Sequence, residues 1–130
     1  MCIRDRVTPR FEAIYRTVLT AQERGIAAIR PGVEAHDVDA EARSVIEEAG
    51  FGRFFDHGLG HGLGMDLHEA PRLRKESKVT LEPGMVVTVE PGVYLPEWGG
   101  IRIEDDVLVT PDGCEVLSHV PKSLDSVRIE

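Results

Sequence analysis

The sequence predicts an α+β fold in which two amphipathic helices precede a mostly antiparallel sheet. Three observations carry this. Apolar residues recur at spacings of three and four up to residue 49. Beyond Gly50 glycine becomes frequent and the apolar period shortens to two. Pro111-Asp-Gly113 separates two alternating runs, the pattern of a hairpin turn.

Thr8-Pro9 suits a helix start, because a threonine hydroxyl can cap and proline is tolerated in the first turn. Phe11, Ile14, Tyr15, Val18, Gln22, Ile26 and Ile29 then form one stripe, which Pro31-Gly32 ends. A second helix is expected from Ala35 to Ala49, with Val38, Ala42, Val45, Ile46 and Ala49 on its apolar face and Gly50 as its stop. Met85 to Glu90 reads as a strand with Val87 and Val89 on one face and Thr88 and Glu90 on the other. Ile101 to Glu104 alternates as well, which puts Arg102 and Glu104 on a shared face. Asp106 to Thr110 and Glu115 to Ser118 complete the sheet. Glu82-Pro-Gly84, Pro91-Gly92 and His68-Glu-Ala-Pro71 are read as turns.

A chain of 130 residues is the size of one domain. Its 15 basic and 23 acidic residues give a net charge of −8, which argues against nucleic acid or an anionic membrane as partner. Two cysteines are too few for a secreted disulfide scaffold, so a reducing, cytoplasmic setting is expected. No apolar run approaches the roughly 20 residues that span a bilayer. Met1-Cys-Ile-Arg-Asp-Arg6 has no apolar core and no structural role, and is expected to be a leader foreign to the domain.

Chemistry concentrates in His57-Gly-Leu-Gly-His61-Gly-Leu-Gly-Met-Asp-Leu-His68. Histidine binds metals when neutral and moves protons near neutral pH, while glycine lets backbone approach a ligand. Taken singly, Glu90 reads as a strand end facing water and Glu104 as the partner of a lysine or arginine. Taken with His61, they form a mixed imidazole and carboxylate set suited to Mn, Co or Zn. His68 reads either as a brace for its turn or as a hydrogen-bond donor to a developing oxyanion. Arg102 reads as a counter-ion for Glu104 or as a site for a substrate carboxylate. Arg72 and Arg74 read as a solvated basic patch, and His36 and His119 have no assigned role.

The same motifs, joined by Leu81-Glu-Pro-Gly-Met-Val-Val-Thr-Val-Glu90-Pro-Gly and Gly100-Ile-Arg-Ile-Glu104-Asp, resemble the Xaa-Pro dipeptidase (prolidase) and aminopeptidase P group. These are metallopeptidases of the pita-bread fold, also called the creatinase/aminopeptidase fold. The resemblance runs over about residues 7–130. It implies the C-terminal portion of that fold, with a curved, mostly antiparallel sheet, and a pair of divalent metal ions held by two Asp, one His and two Glu. By motif, His61, Glu90 and Glu104 are metal ligands and Glu104 bridges the two ions. Glu90 also takes a proton as a metal-bound hydroxide forms, and His68 is the histidine that steadies the tetrahedral intermediate. His57 and Arg102 match substrate-binding positions of the Xaa-Pro branch. The implied activity is hydrolysis of Xaa-Pro bonds in peptides or dipeptides by a cytoplasmic homodimer, with manganese as the expected metal.

His57 and the Arg102-Ile-Glu104-Asp run favour this branch over methionine aminopeptidase. Retention of His61, Glu90 and Glu104 argues against creatinase; the alternatives are another pita-bread hydrolase such as a methionine aminopeptidase, or a non-catalytic binding module of the same fold. One departure matters: no residue matches the two aspartate ligands, which the family carries on strands before the first helix. Asp5, Asp37 and Asp39 do not fit the pattern. Residues 7–130 are therefore expected to be an incomplete catalytic domain. Alone it should be inactive, bind at most one metal ion weakly, and expose apolar sheet surface that favours aggregation.

Overall fold

A computed structural model describes residues 7–128 of the chain. The leader proposed for residues 1–6 lies outside the described residues. The expected α+β architecture is present as α1 (Pro9–Ala28), α2 (Ala35–Glu48), a 3-10 turn (Gly52–Phe54) and seven strands. These are β1 (Gly60–Gly62), β2 (Glu69–Leu73), β3 (Val86–Val89), β4 (Gly92–Leu95), β5 (Gly99–Arg102), β6 (Asp105–Thr110) and β7 (Gly113–Val116).

Both helices follow their sequence cues. Thr8 Oγ1 accepts the Phe11 amide at 3.1 Å and Pro9 occupies the first turn. Every residue of the α1 stripe is buried or half-buried. The second helix ends one residue early, at Glu48, with Gly50 at φ 85°. Its face differs from expectation: Ala49 is exposed, whereas Asp39 and Arg43 are buried beside Val38, Ala42 and Ile46.

The helices pack on an antiparallel sheet of order β2-β1-β3-β6-β7, beside a separate two-stranded β4-β5 ribbon. Between helices and sheet lies a core that includes Ile14, Val18, Val38, Ile46, Leu59, Val87, Val89 and Val107, each at 0% exposure. Burying each such side chain contributes about 1.5–3 kcal/mol, so this layer dominates the stabilisation. The β6-β7 turn is the two-residue Pro111-Asp112 link that the sequence indicates, with Thr110 paired to Gly113.

Two segments that the sequence did not assign to the sheet are strands. The glycine-histidine run contributes β1, and the expected His68-Pro71 turn is largely β2. Glycine and proline are depleted in strands, and each is here for a reason. Pro71 is tolerated because β2 is an edge strand. Gly60 is needed because β1 is squeezed against its neighbour: a Cβ there would stand 1.8 Å from the Thr88 carbonyl oxygen. Gly92 likewise begins β4 instead of completing a turn. The apolar exposure expected on the sheet lies elsewhere. Among the described residues, the large exposed apolar side chains are Leu63, Met65, Leu67, Val79, Leu117, Val120 and Val127, none of them inside a strand.

Candidate metal and substrate site

Strand β3 organises the site because its two faces differ. Val87 and Val89 point into the core, which leaves Thr88 and Glu90 on the side that β1 approaches. The Thr88 hydroxyl accepts the His61 main-chain N–H at 3.0 Å and donates to Glu90 Oε1 at 2.9 Å. One buried hydroxyl thus fixes the backbone of one candidate ligand and the carboxylate of another.

The His61 ring is set by a second contact. Its Nδ1 lies 3.0 Å from the Gly62 carbonyl oxygen, which can only accept, so Nδ1 carries the hydrogen. The Nε2 then faces Glu90 Oε1 at 3.1 Å, with both side chains mostly buried. Two acceptors this close repel unless a proton or a cation lies between them. Donors bound to one divalent ion at roughly 2.1 Å stand about 3 Å apart, so the pair has the spacing of common ligation. Holding the ring by Nδ1–H while Nε2 stays free is also how metal-binding histidines are oriented. His68 packs edge-on against His61, with ring centroids 4.4 Å apart.

Arg102 and Glu104 share a face, as the alternation indicates. Arg102 Nε stands 3.7 Å from Glu90 Oε2 and 3.7 Å from Glu104 Oε2, so the guanidinium sits between the two carboxylates. Burial, followed by the negative charge of Glu90, raises the Glu104 carboxyl above its ordinary value. The Tyr94 hydroxyl is the main influence that raises Arg102 further. Among the described residues, no group of three or more His, Cys, Asp or Glu side chains forms a metal-holding cluster. The donor chemistry of His61, Glu90 and Glu104 nevertheless fits a divalent cation: an imidazole nitrogen faces one carboxylate at 3.1 Å, and a second carboxylate lies across Arg102 from the first.

A cavity of about 340 Å³ opens over these groups, lined by His57, His61, His68, Glu90 and Arg102, together with Arg72 and Arg74. Arg72 and Arg74, expected to be a solvated patch, are therefore cavity residues with exposed side chains. Glu104 is not among the lining residues and adjoins the cavity through Arg102. His36 lies apart, paired with Glu34 at 2.6 Å and Asp37 at 3.1 Å near the start of α2. The His57 Nδ1–H is directed to the Gly58 carbonyl at 2.7 Å, and its Nε2 accepts from the Tyr94 hydroxyl at 2.9 Å.

Sequence reasoning missed three contributors. Thr88 gave no signal beyond its place two residues before Glu90. Tyr94 gave none, because its closeness to Gly92, where a Cβ would meet the Tyr94 hydroxyl at 2.5 Å, arises only in the fold. Asp39 and Arg43 were detectable as an i, i+4 charged pair beside an apolar stripe.

The model of metallopeptidase family M24 matches residues 1–111 of the chain. A Bacillus subtilis protein named as an uncharacterized peptidase is 51% identical over 111 residues, which are 85% of this chain and 31% of that protein. The Xaa-Pro dipeptidase of Pyrococcus furiosus is 46% identical over 111 residues, 85% of this chain and 32% of that protein. Among solved structures, the prolidase of Pyrococcus horikoshii superposes with a TM-score of 0.89 at 40% identity, covering 92% of this chain and 34% of that one. The expected pita-bread fold is thereby borne out for this portion, and the chain spans only 31–34% of the length of these relatives. With the family model covering most of its length and relatives above 40% identity, this chain belongs to metallopeptidase family M24.

Proposed function

We propose that this chain supplies the His61, Glu90 and Glu104 share of the centre of a metal-dependent exopeptidase that cleaves Xaa-Pro bonds. The observation that carries this reading is His61 Nε2 facing Glu90 Oε1 at 3.1 Å while Nδ1 is committed to the Gly62 carbonyl. Two divalent ions, with Mn favoured over Co or Zn, complete the site together with ligands from outside this chain. Such ions act as Lewis acids and make water acidic enough to react near neutral pH.

The chain's own residues have separable tasks. Glu90, steadied by Thr88, holds and passes the proton taken from the attacking water. His68, edge-on against His61, donates a hydrogen bond to the scissile carbonyl as negative charge develops there. His57 and Arg102 stand at the cavity wall, where they orient a short peptide. Arg102 also keeps Glu90 and Glu104 from repelling each other before ions bind. The substrates are proline-containing peptides or dipeptides, and the complete protein is a cytoplasmic homodimer.

The test uses two preparations. The 130-residue chain alone is titrated with Mn(II), and His61→Ala and Glu90→Gln should each abolish the weak binding expected. Residues 7–128 are also grafted in place of the matching segment of the Pyrococcus furiosus Xaa-Pro dipeptidase. The graft should cleave Xaa-Pro dipeptides, and the chain alone should not. A graft that prefers Met-Ala would favour a methionine aminopeptidase. A graft that binds Mn but cleaves nothing would favour a non-catalytic module.

A further inference from the structure

We propose that Asp39 and Arg43 are a positioning pair that sets His57, and the approach of β1 to His61, from beneath the site. This rests on the functional reading above, but its geometry stands independently of it. Both residues lie on α2, at 0% and 6% exposure, in the layer between helix and sheet. Arg43 Nε donates to Asp39 Oδ2 at 2.7 Å, and Nη2 donates to Oδ1 at 2.9 Å, a bidentate pair.

An ion pair removed from water gives little net stabilisation, because desolvation consumes most of the attraction. What distinguishes this one is how its remaining capacity is used. Arg43 Nη1 donates to the Phe55 carbonyl at 2.9 Å, and Nη2 to the His57 carbonyl at 2.8 Å. Asp39 Oδ1 accepts the Leu59 main-chain N–H at 2.9 Å. Three alternate main-chain positions of the segment that leads into β1 are thus held by one rigid, doubly bonded group.

The grip extends to the ring of His57. The guanidinium carbon lies 4.1 Å from the centroid of Phe55, and the Phe55 and His57 rings meet edge-on at 5.0 Å. With the carbonyl of His57 fixed by Arg43, its ring is left one orientation, Nδ1–H to Gly58 and Nε2 to Tyr94. Lysine cannot replace this arrangement, since its single ammonium lacks the planar fork that spans Asp39 and two carbonyls at once.

The experiment is 15N imidazole spectroscopy with amide hydrogen exchange on the 130-residue chain, without metal or peptide. In the unmodified chain His57 should be a single Nδ1–H tautomer and the Arg43 Nε–H should exchange slowly. Arg43→Lys should leave the helical spectrum intact, convert His57 to a tautomer mixture, and speed exchange at Leu59 by about tenfold or more. Val18→Ala, a core truncation away from the site, should lower the melting temperature while leaving the His57 tautomer unchanged. The proposal is overturned if Arg43→Lys leaves His57 and Leu59 as they were, or if Val18→Ala disturbs His57 equally. Should Arg43→Lys not fold, the unmodified chain decides, because a mixed His57 tautomer or a fast Arg43 Nε–H overturns the pair's role. None of these readouts depends on Mn binding or cleavage, so failure of the peptidase reading would show separately.

Discussion

The two faces of strand β3 obey different physics. On one face Val87 and Val89 meet the helices in a layer held by apolar burial, which is non-directional and tolerates small shifts. On the other, the Thr88 hydroxyl accepts from the His61 amide of β1 and donates to Glu90, and the backbones approach so closely that only glycine fits at position 60. The core face can lose a methyl group and relax. The site face cannot absorb one, which is the price of placing charged side chains at fixed distances on a sheet that must also fold.

Gly60→Ala should break this contrast most severely. The added methyl would lie 1.8 Å from the Thr88 carbonyl oxygen, a backbone atom that cannot rotate away. Strands β1 and β3 would have to separate, and the hydrogen bond from the His61 amide to the Thr88 hydroxyl would go with them. The expected loss is on the order of 3 kcal/mol or more, measured by urea unfolding. A Gly60→Ala chain that unfolds at the unmodified midpoint would mean that the two faces are equally pliant.

Thr88→Val sharpens the contrast, because it keeps the shape and removes only the hydroxyl. It leaves the His61 amide without its acceptor and the Glu90 carboxylate without a donor, at an expected cost of about 1–3 kcal/mol. The damage should be local: the His61 amide should lose protection while the amides of β6, across the strand, keep theirs. Hydrogen exchange separates these outcomes. Mn(II) affinity should fall as well, since both candidate ligands lose the group that aims them.

The same division explains what could be read in the chain beforehand. The helices were legible because burial imposes a period, and Ile14, Val18, Val38 and Ile46 display it. The hairpin at Pro111-Asp112 was legible because its turn chemistry is local. Strands β1 and β2 were not, because close approach demanded Gly60 and an edge position admitted Pro71, both of which count against a strand. At the site, His61, Glu90 and Glu104 stood out through their residue type. Thr88 and Tyr94 were hidden because their importance lies in which atoms they meet across the fold, and the Asp39-Arg43 spacing could be read but not its task. Nothing at positions 39 and 43 indicates that the carbonyls of Phe55 and His57 lie above them.

The smallest effect tests whether the core face is as free of electrostatics as its apolar side chains suggest. Tyr15 is its one buried phenol, and its hydroxyl donates to the Lys122 carbonyl at 3.0 Å. Burial raises its pKa above the ordinary tyrosine value, which is about 10. A group with a raised folded-state pKa gives stability that is complete below the unfolded value and lost as pH rises through the folded one. The core should therefore be insensitive to Tyr15 at neutral pH and weaken only above about pH 10. Tyr15→Phe should cost roughly 0.5–1.5 kcal/mol at pH 7 through the lost hydrogen bond and should flatten the alkaline decline. Unfolding midpoints measured from neutral to strongly alkaline pH would decide this. If the decline persists unchanged in Tyr15→Phe, the core face owes its alkaline sensitivity to a group other than this phenol.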